Sequence, residues 1–104
     1  MNERKTAPPQ LHCVGDTLEV VGTVNMHNAR QVLQHGQTLL GQHVIRQVDL
    51  TGVTEADSAC VSVMLQWLRD AQARGVALQF IHLPTSVRSL AHLYGVAHWL
   101  DESP

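Results

Sequence analysis

The apolar positions change rhythm along the chain, and each change marks an element. LHCV and TLEVVG are short runs of strand-like composition, separated by Gly15-Asp16. Two such runs joined by two residues predict a tight hairpin, because Gly tolerates the positive φ that the turn needs. Beyond Gly22, Ala29, Val32 and Leu33 fall on one face of a helical pattern over residues 25–36, with Asn25 as its cap and Gly36 as its stop. Leu39 and Leu40 then lead to HVIRQVDL, residues 43–50. Its mixed apolar pattern suits a strand partly buried on both faces, as in a parallel sheet.

The strongest helical signal follows a polar loop. Over residues 58–73, Val61, Met64, Leu65, Leu68 and Ala71 recur at helical spacing, and Gly75 stands at the end as a stop. VALQFIHL reads as the next strand. Pro84 suits the first turn of a further helix, whose buried face is predicted to carry Val87, Leu90, Ala91 and Tyr94 before Gly95 ends it. The order is β-β-α-β-α-β-α. Strands joined through helices need crossovers, so the later strands are predicted to be parallel and the four-stranded sheet mixed, with the helices packed on it. This is an α/β fold in a single domain over residues 11–104, preceded by a disordered leader, residues 1–10.

Composition narrows what such a domain does. The chain has 104 residues, which is enough for one core without a disulfide or metal to hold it. A net charge of −2, with scattered Lys and Arg, gives no basic stripe for a phosphate backbone, and one Phe, one Tyr and two Trp leave few rings to stack bases. Nucleic acid is therefore not expected as a partner. Cys13 and Cys60 lie far apart without CxxC spacing, which reads as two buried or free thiols in a reducing compartment such as the cytosol. MNERKTAPPQ has no apolar core of the kind a signal peptide or membrane anchor needs, and no apolar run approaches the roughly 20 residues of a membrane helix. Direct membrane insertion is not expected.

Candidate chemistry is sparse. Of seven His residues, His27, His35 and His43 recur every eight positions, but none belongs to an HxxxH or Cys/His ligand pair, so no metal site and no cofactor are predicted. No GxSxG elbow exposes Ser58, and neither GxxxxGK[ST] nor GxGxxG occurs to cradle a phosphate. The chain is not expected to be an enzyme. What stands out is Asp57-Ser58, an acid and a hydroxyl at the join between loop and helix. Such a pair serves as a helix cap worth about 1 kcal/mol. It also suits a switch or docking point, because a helix start offers unpaired N–H donors and partial positive charge to a partner's acidic group or carbonyl.

The element order, together with DLTGVTEADSA following a central strand, resembles the STAS domain, named for sulfate transporters and anti-sigma factor antagonists. The resemblance runs from about Leu11 to Leu100. It rests on Val48-Asp49-Leu50, the loop, and Asp57-Ser58 opening a helix that continues VSVMLQWL. The later FIHLPTSVRSLAHLYGVAHWL looks like the MlaB-type branch, small proteins that accompany the ATPase of a phospholipid-transporting ABC complex.

By that resemblance, Ser58 falls on the Ser or Thr that is phosphorylated in anti-sigma factor antagonists and that lies at the partner-facing helix start in MlaB-type proteins. Asp57 falls on the acidic residue before it. Cys60 departs from the Gly common in the family, and a larger side chain in the first turn would hinder a kinase. The implied function is binding: Thr54, Glu55, Asp57, Ser58 and Ala59 contact the cytosolic ATPase subunit of an ABC transporter that moves phospholipid between membranes and maintains outer-membrane lipid asymmetry. The protein would then be cytoplasmic, peripheral to an inner-membrane complex through its partner. The alternative is an anti-sigma factor antagonist whose Ser58 is phosphorylated by a partner kinase.

Overall fold

Gly15 takes a φ of 61°, and this left-handed residue turns β1 (Gln10–Val14) back onto β2 (Thr17–Val24). The pair is antiparallel, in a register that sets Val14 opposite Thr17 and Leu11 opposite Val20. The computed structural model describes residues 9–100. Most of the expected leader, residues 1–8, lies outside the described residues, and Gln10 already belongs to β1. Two crossovers follow. α1 (Ala29–Gln42) returns the chain to β3 (Gln47–Ala56), parallel to β2, and α2 (Ser58–Ala73) returns it to β4 (Gln79–Ile81), parallel to β3. The sheet order is β1-β2-β3-β4, so the predicted mixed sheet and element order are both present. α3 (Thr85–Leu93) and a short α4 (Ala97–Leu100), which the pattern did not announce, complete the chain.

One face of the sheet is the core. Leu18, Val20, Val48, Leu50 and Phe80 point inward and are buried beneath Val32, Met64, Trp67, Val87 and Leu100 of the helices. On the other face Gln10, His12 and Val14 are exposed and Thr17, Glu19 and Asp49 half-buried, so no helix among the described residues covers it. α2 lies between α1 and α3 and touches both.

Several boundaries differ from expectation for physical reasons. α1 starts after Asn28, not at Asn25; the two side chains instead knit the preceding turn, Asn25 Oδ1 accepting from His27 N–H at 2.9 Å and Asn28 Nδ2 donating to Thr23 O at 2.8 Å. Gly36 does not stop α1, which runs on through Leu39 and Leu40. It is buried because the Trp67 indole lies where a Cβ would stand. The same indole donates to Leu33 O at 3.1 Å. β3 extends past residue 50 to Ala56, since β2 pairs with it as far as Val24 opposite Ala56.

α2 has the predicted bounds, but its buried stripe is turned. Cys60, Val61, Val63, Met64, Trp67 and Ala71 are buried, whereas Leu65 and Leu68 are only half-buried on its flank. In α3, Val87 and Ala91 are buried as expected, and Tyr94, expected inside, is 53% exposed. Among the described residues no helix is long and apolar enough to cross a membrane.

Candidate functional site

The join between β3 and α2 is fixed from three sides. Asp57 is the N-cap of α2, and its Oδ1 accepts from Ala59 N–H at 2.8 Å, satisfying a donor that the helix start leaves unpaired. Its Oδ2 accepts from Met26 N–H at 3.1 Å, in the turn between β2 and α1. Its own N–H donates to Val24 O at 3.3 Å, continuing the β2–β3 pairing. Asp57 is therefore the cap, and it also ties α2 to the end of the neighbouring strand.

Ser58 has a different place. It is the first residue of α2, exposed, and its hydroxyl has no hydrogen-bond partner among the described residues. Asp57 and Ser58, adjacent in sequence, line two different depressions. Asp57 belongs to an open one of about 490 Å³ together with Thr23, Asn25, Thr54, Glu55 and Ser86. Ser58 belongs to one of about 320 Å³ with Val61, Ser62, Leu65, Tyr94 and Val96.

Of the residues predicted to meet a partner, Thr54 and Glu55 are exposed at the end of β3, within the strand and not in a loop. Ala59 is half-buried one residue inside the helix. Thr54, Glu55 and Asp57 share an edge at the first depression, Ser58 lines the second, and Ala59 lines neither. The sequence reading missed Asn25, Met26 and Ser86, which the fold brings to the same edge from other elements. Asn25 and Asn28 signalled a turn, but nothing in their spacing linked that turn to Asp57.

Cys60 is 2% exposed, and burial, helped by the nearby charge of Asp57, pushes its thiol up to about 12. The side chain that stands where a Gly is common points into the core. The expected obstruction at the helix surface is thus absent. Asp49 lies at the opposite end of β3, on the uncovered sheet face. Its partial burial would raise its carboxyl, but hydrogen bonds from the Thr51 hydroxyl and N–H, and then His82, outweigh this and hold it below its usual 3.8. His82 Nδ1 lies 3.1 Å from Asp49 Oδ1, on a residue with φ 57°. Among the described residues, no group of three or more His, Cys, Asp or Glu is placed to hold a metal ion.

No curated protein matches the chain. Among solved structures, the anti-sigma factor antagonist SpoIIAA in its unphosphorylated form is similar, with a TM-score of 0.69 and 21% identity over 93% of this chain and 89% of that one. The Bacillus cell fate determinant SpoIIAA in the phosphorylated form gives 0.66 and 18% over 93% of this chain and 92% of that one. At these identities the likeness is one of fold. The family model described as "Mlab, STAS domain" matches residues 10–101, and the chain belongs to that family.

Proposed function

We propose that the protein is a non-catalytic STAS-domain subunit that binds the cytosolic ATPase of an ABC transporter moving phospholipid between membranes. It would sit in the cytoplasm, held at the inner-membrane complex by that ATPase. The observation that carries this is the division of labour at the junction. Asp57 spends its carboxylate on fixing the start of α2, which leaves the Ser58 hydroxyl exposed and unpartnered on a rigid edge. A small polar group so presented suits a contact with a partner's carbonyl or acidic group, at the positive end of a helix. Membership of the MlaB-type family supports the choice of partner.

A second reading, an anti-sigma factor antagonist phosphorylated at Ser58, is favoured by one observation: with Cys60 turned inward, the hydroxyl is open to a kinase. Co-expression with the ATPase of such a transporter tests the first reading, which expects the two to purify together through size exclusion. Failure to associate, with a phosphate gained at Ser58 in the presence of a partner kinase and ATP, would decide for the second.

A further inference from the structure

Where β2 and β3 end, their pairing slips: the register shifts between Gly22 and Thr23, and Thr23 then stands opposite Glu55. Irregularities of this kind re-aim side chains, and the space outside the carboxyl ends of parallel strands is where α/β sheets take ligands. Thr23 and Glu55 both line the open depression of about 490 Å³, together with Thr54, Asp57 and, from the first turn of α3, Ser86. Thr23 stands apart from the rest of the lining. It is 3% exposed, and its Oγ1 is the one buried side-chain oxygen or nitrogen without a hydrogen-bond partner among the described residues. A buried hydroxyl left unpaired is costly, so this one calls for a group from outside the chain.

We propose that the depression binds a small organic ammonium ion of the polyamine class, its N–H donors shared among Thr23 Oγ1, the Glu55 carboxylate and the hydroxyls of Thr54 and Ser86. The lining selects a cation. Two carboxylates, Glu55 and Asp57, and three hydroxyls, Thr23, Thr54 and Ser86, supply oxygen acceptors, and no Lys, Arg or His lines the site. An ammonium group carries three donors and no acceptor, which matches such a set. α3 begins at the same place without a side-chain cap, and a helix start favours anions, but its charge of roughly +0.5 is outweighed by the two carboxylates. Asp57 already accepts from Met26 and Ala59 N–H, whereas Glu55 and the hydroxyls of Thr54 and Ser86 make no hydrogen bond among the described residues and are open to a ligand. Two carboxylates, one of them so engaged, are too few to hold a metal ion, and the volume is that of a small-molecule site.

This site does not depend on the ATPase partner, and its test needs no partner. Calorimetry and amide NMR shifts of the full chain are measured against spermidine and putrescine, with magnesium ion and inorganic phosphate as comparisons and a thermal melt of every variant. Saturable binding of the amine is expected, perturbing the amides of Thr23, Glu55 and Ser86 and weakening as salt is raised. Glu55→Gln and Thr23→Val are each expected to weaken it by about tenfold or more, the worth of one charge-assisted hydrogen bond. Glu19→Gln, on the uncovered face of the sheet, removes the same charge and is expected to leave binding unchanged. Glu55 is exposed, so Glu55→Gln remains informative even if Thr23→Val melts early. No saturable binding by the folded wild type would overturn the proposal. Equal binding by wild type, Glu55→Gln and Thr23→Val would do the same, by reducing the effect to a general attraction of cations to an acidic chain. Tighter binding of magnesium ion or phosphate than of either amine would give the depression to another ligand and overturn it too.

Discussion

The Asp57 carboxylate accepts the backbone N–H of Met26, 31 positions earlier in the chain, at 3.1 Å. Its other oxygen caps α2 through Ala59. One side chain thus locks the helix start to the β2–α1 turn, and among the described residues the Ser58 hydroxyl next to it makes no hydrogen bond in that lock.

Stability separates the two residues. Asp57→Ala is expected to cost about 1 to 2 kcal/mol, from a lost cap and a lost charged hydrogen bond. Ser58→Ala should stay within about 0.5 kcal/mol, as for an exposed position without a partner. Urea denaturation of the two variants checks this, and equal losses would make Ser58 part of the cap.

The contact of α1 with α2 gives a second expectation. Replacing an exposed helical Gly by Ala normally stabilises by about 1 kcal/mol. Gly36→Ala should instead destabilise by about 1 to 3 kcal/mol, because the new Cβ meets the Trp67 indole and one of two packed helices must shift. A thermal melt decides the sign.

Core position is the third. Met64, fully buried, should lose about 2 to 5 kcal/mol on truncation to Ala. Leu65→Ala should lose clearly less, since the half-buried side chain leaves little cavity behind. Chemical denaturation of the pair ranks them.

That ranking shows what the sequence carried and what it did not. The hairpin at Gly15-Asp16, the bounds of α2 and the parallel crossovers were legible because each is set by local chemistry or by chain length. The deepest stripe of α2 was not. Cys60, Val61, Val63, Met64, Leu65, Trp67 and Leu68 wrap most of the helix in apolar side chains, so periodicity selects no single face, and the packing of α1 on Trp67 does. Gly36 reads as a stop because a close approach between helices leaves the same mark in a sequence as a helix end. At the site, Asp57-Ser58 was visible as a pair. That the two residues face different depressions depends on elements 30 or more positions away, which no local pattern reports.

Acid sensitivity follows from Asp49. Its folded pKa lies below its unfolded value, so the stabilisation it gives is fully present above the unfolded pKa, near 3.8, and is lost as pH falls through the lowered folded value. Asp49→Asn should therefore be less stable than wild type at neutral pH, by an amount that stays constant down to about pH 4 and then closes. Urea midpoints for both proteins between neutral pH and pH 3 check this; a gap unaffected by acid would remove Asp49 from the account.

If Ser58 is a contact residue and not a structural one, its substitution changes affinity for the transporter ATPase while leaving the fold intact. Calorimetry of wild type, Ser58→Ala and Ser58→Glu should show Ser58→Ala weaker by about 0.5 to 1.5 kcal/mol, the worth of one hydrogen bond. Ser58→Glu should be weaker still, with a second negative charge placed beside Asp57. All three should melt together. Equal affinity across the three folded proteins would contradict the claim and move the binding face away from the start of α2.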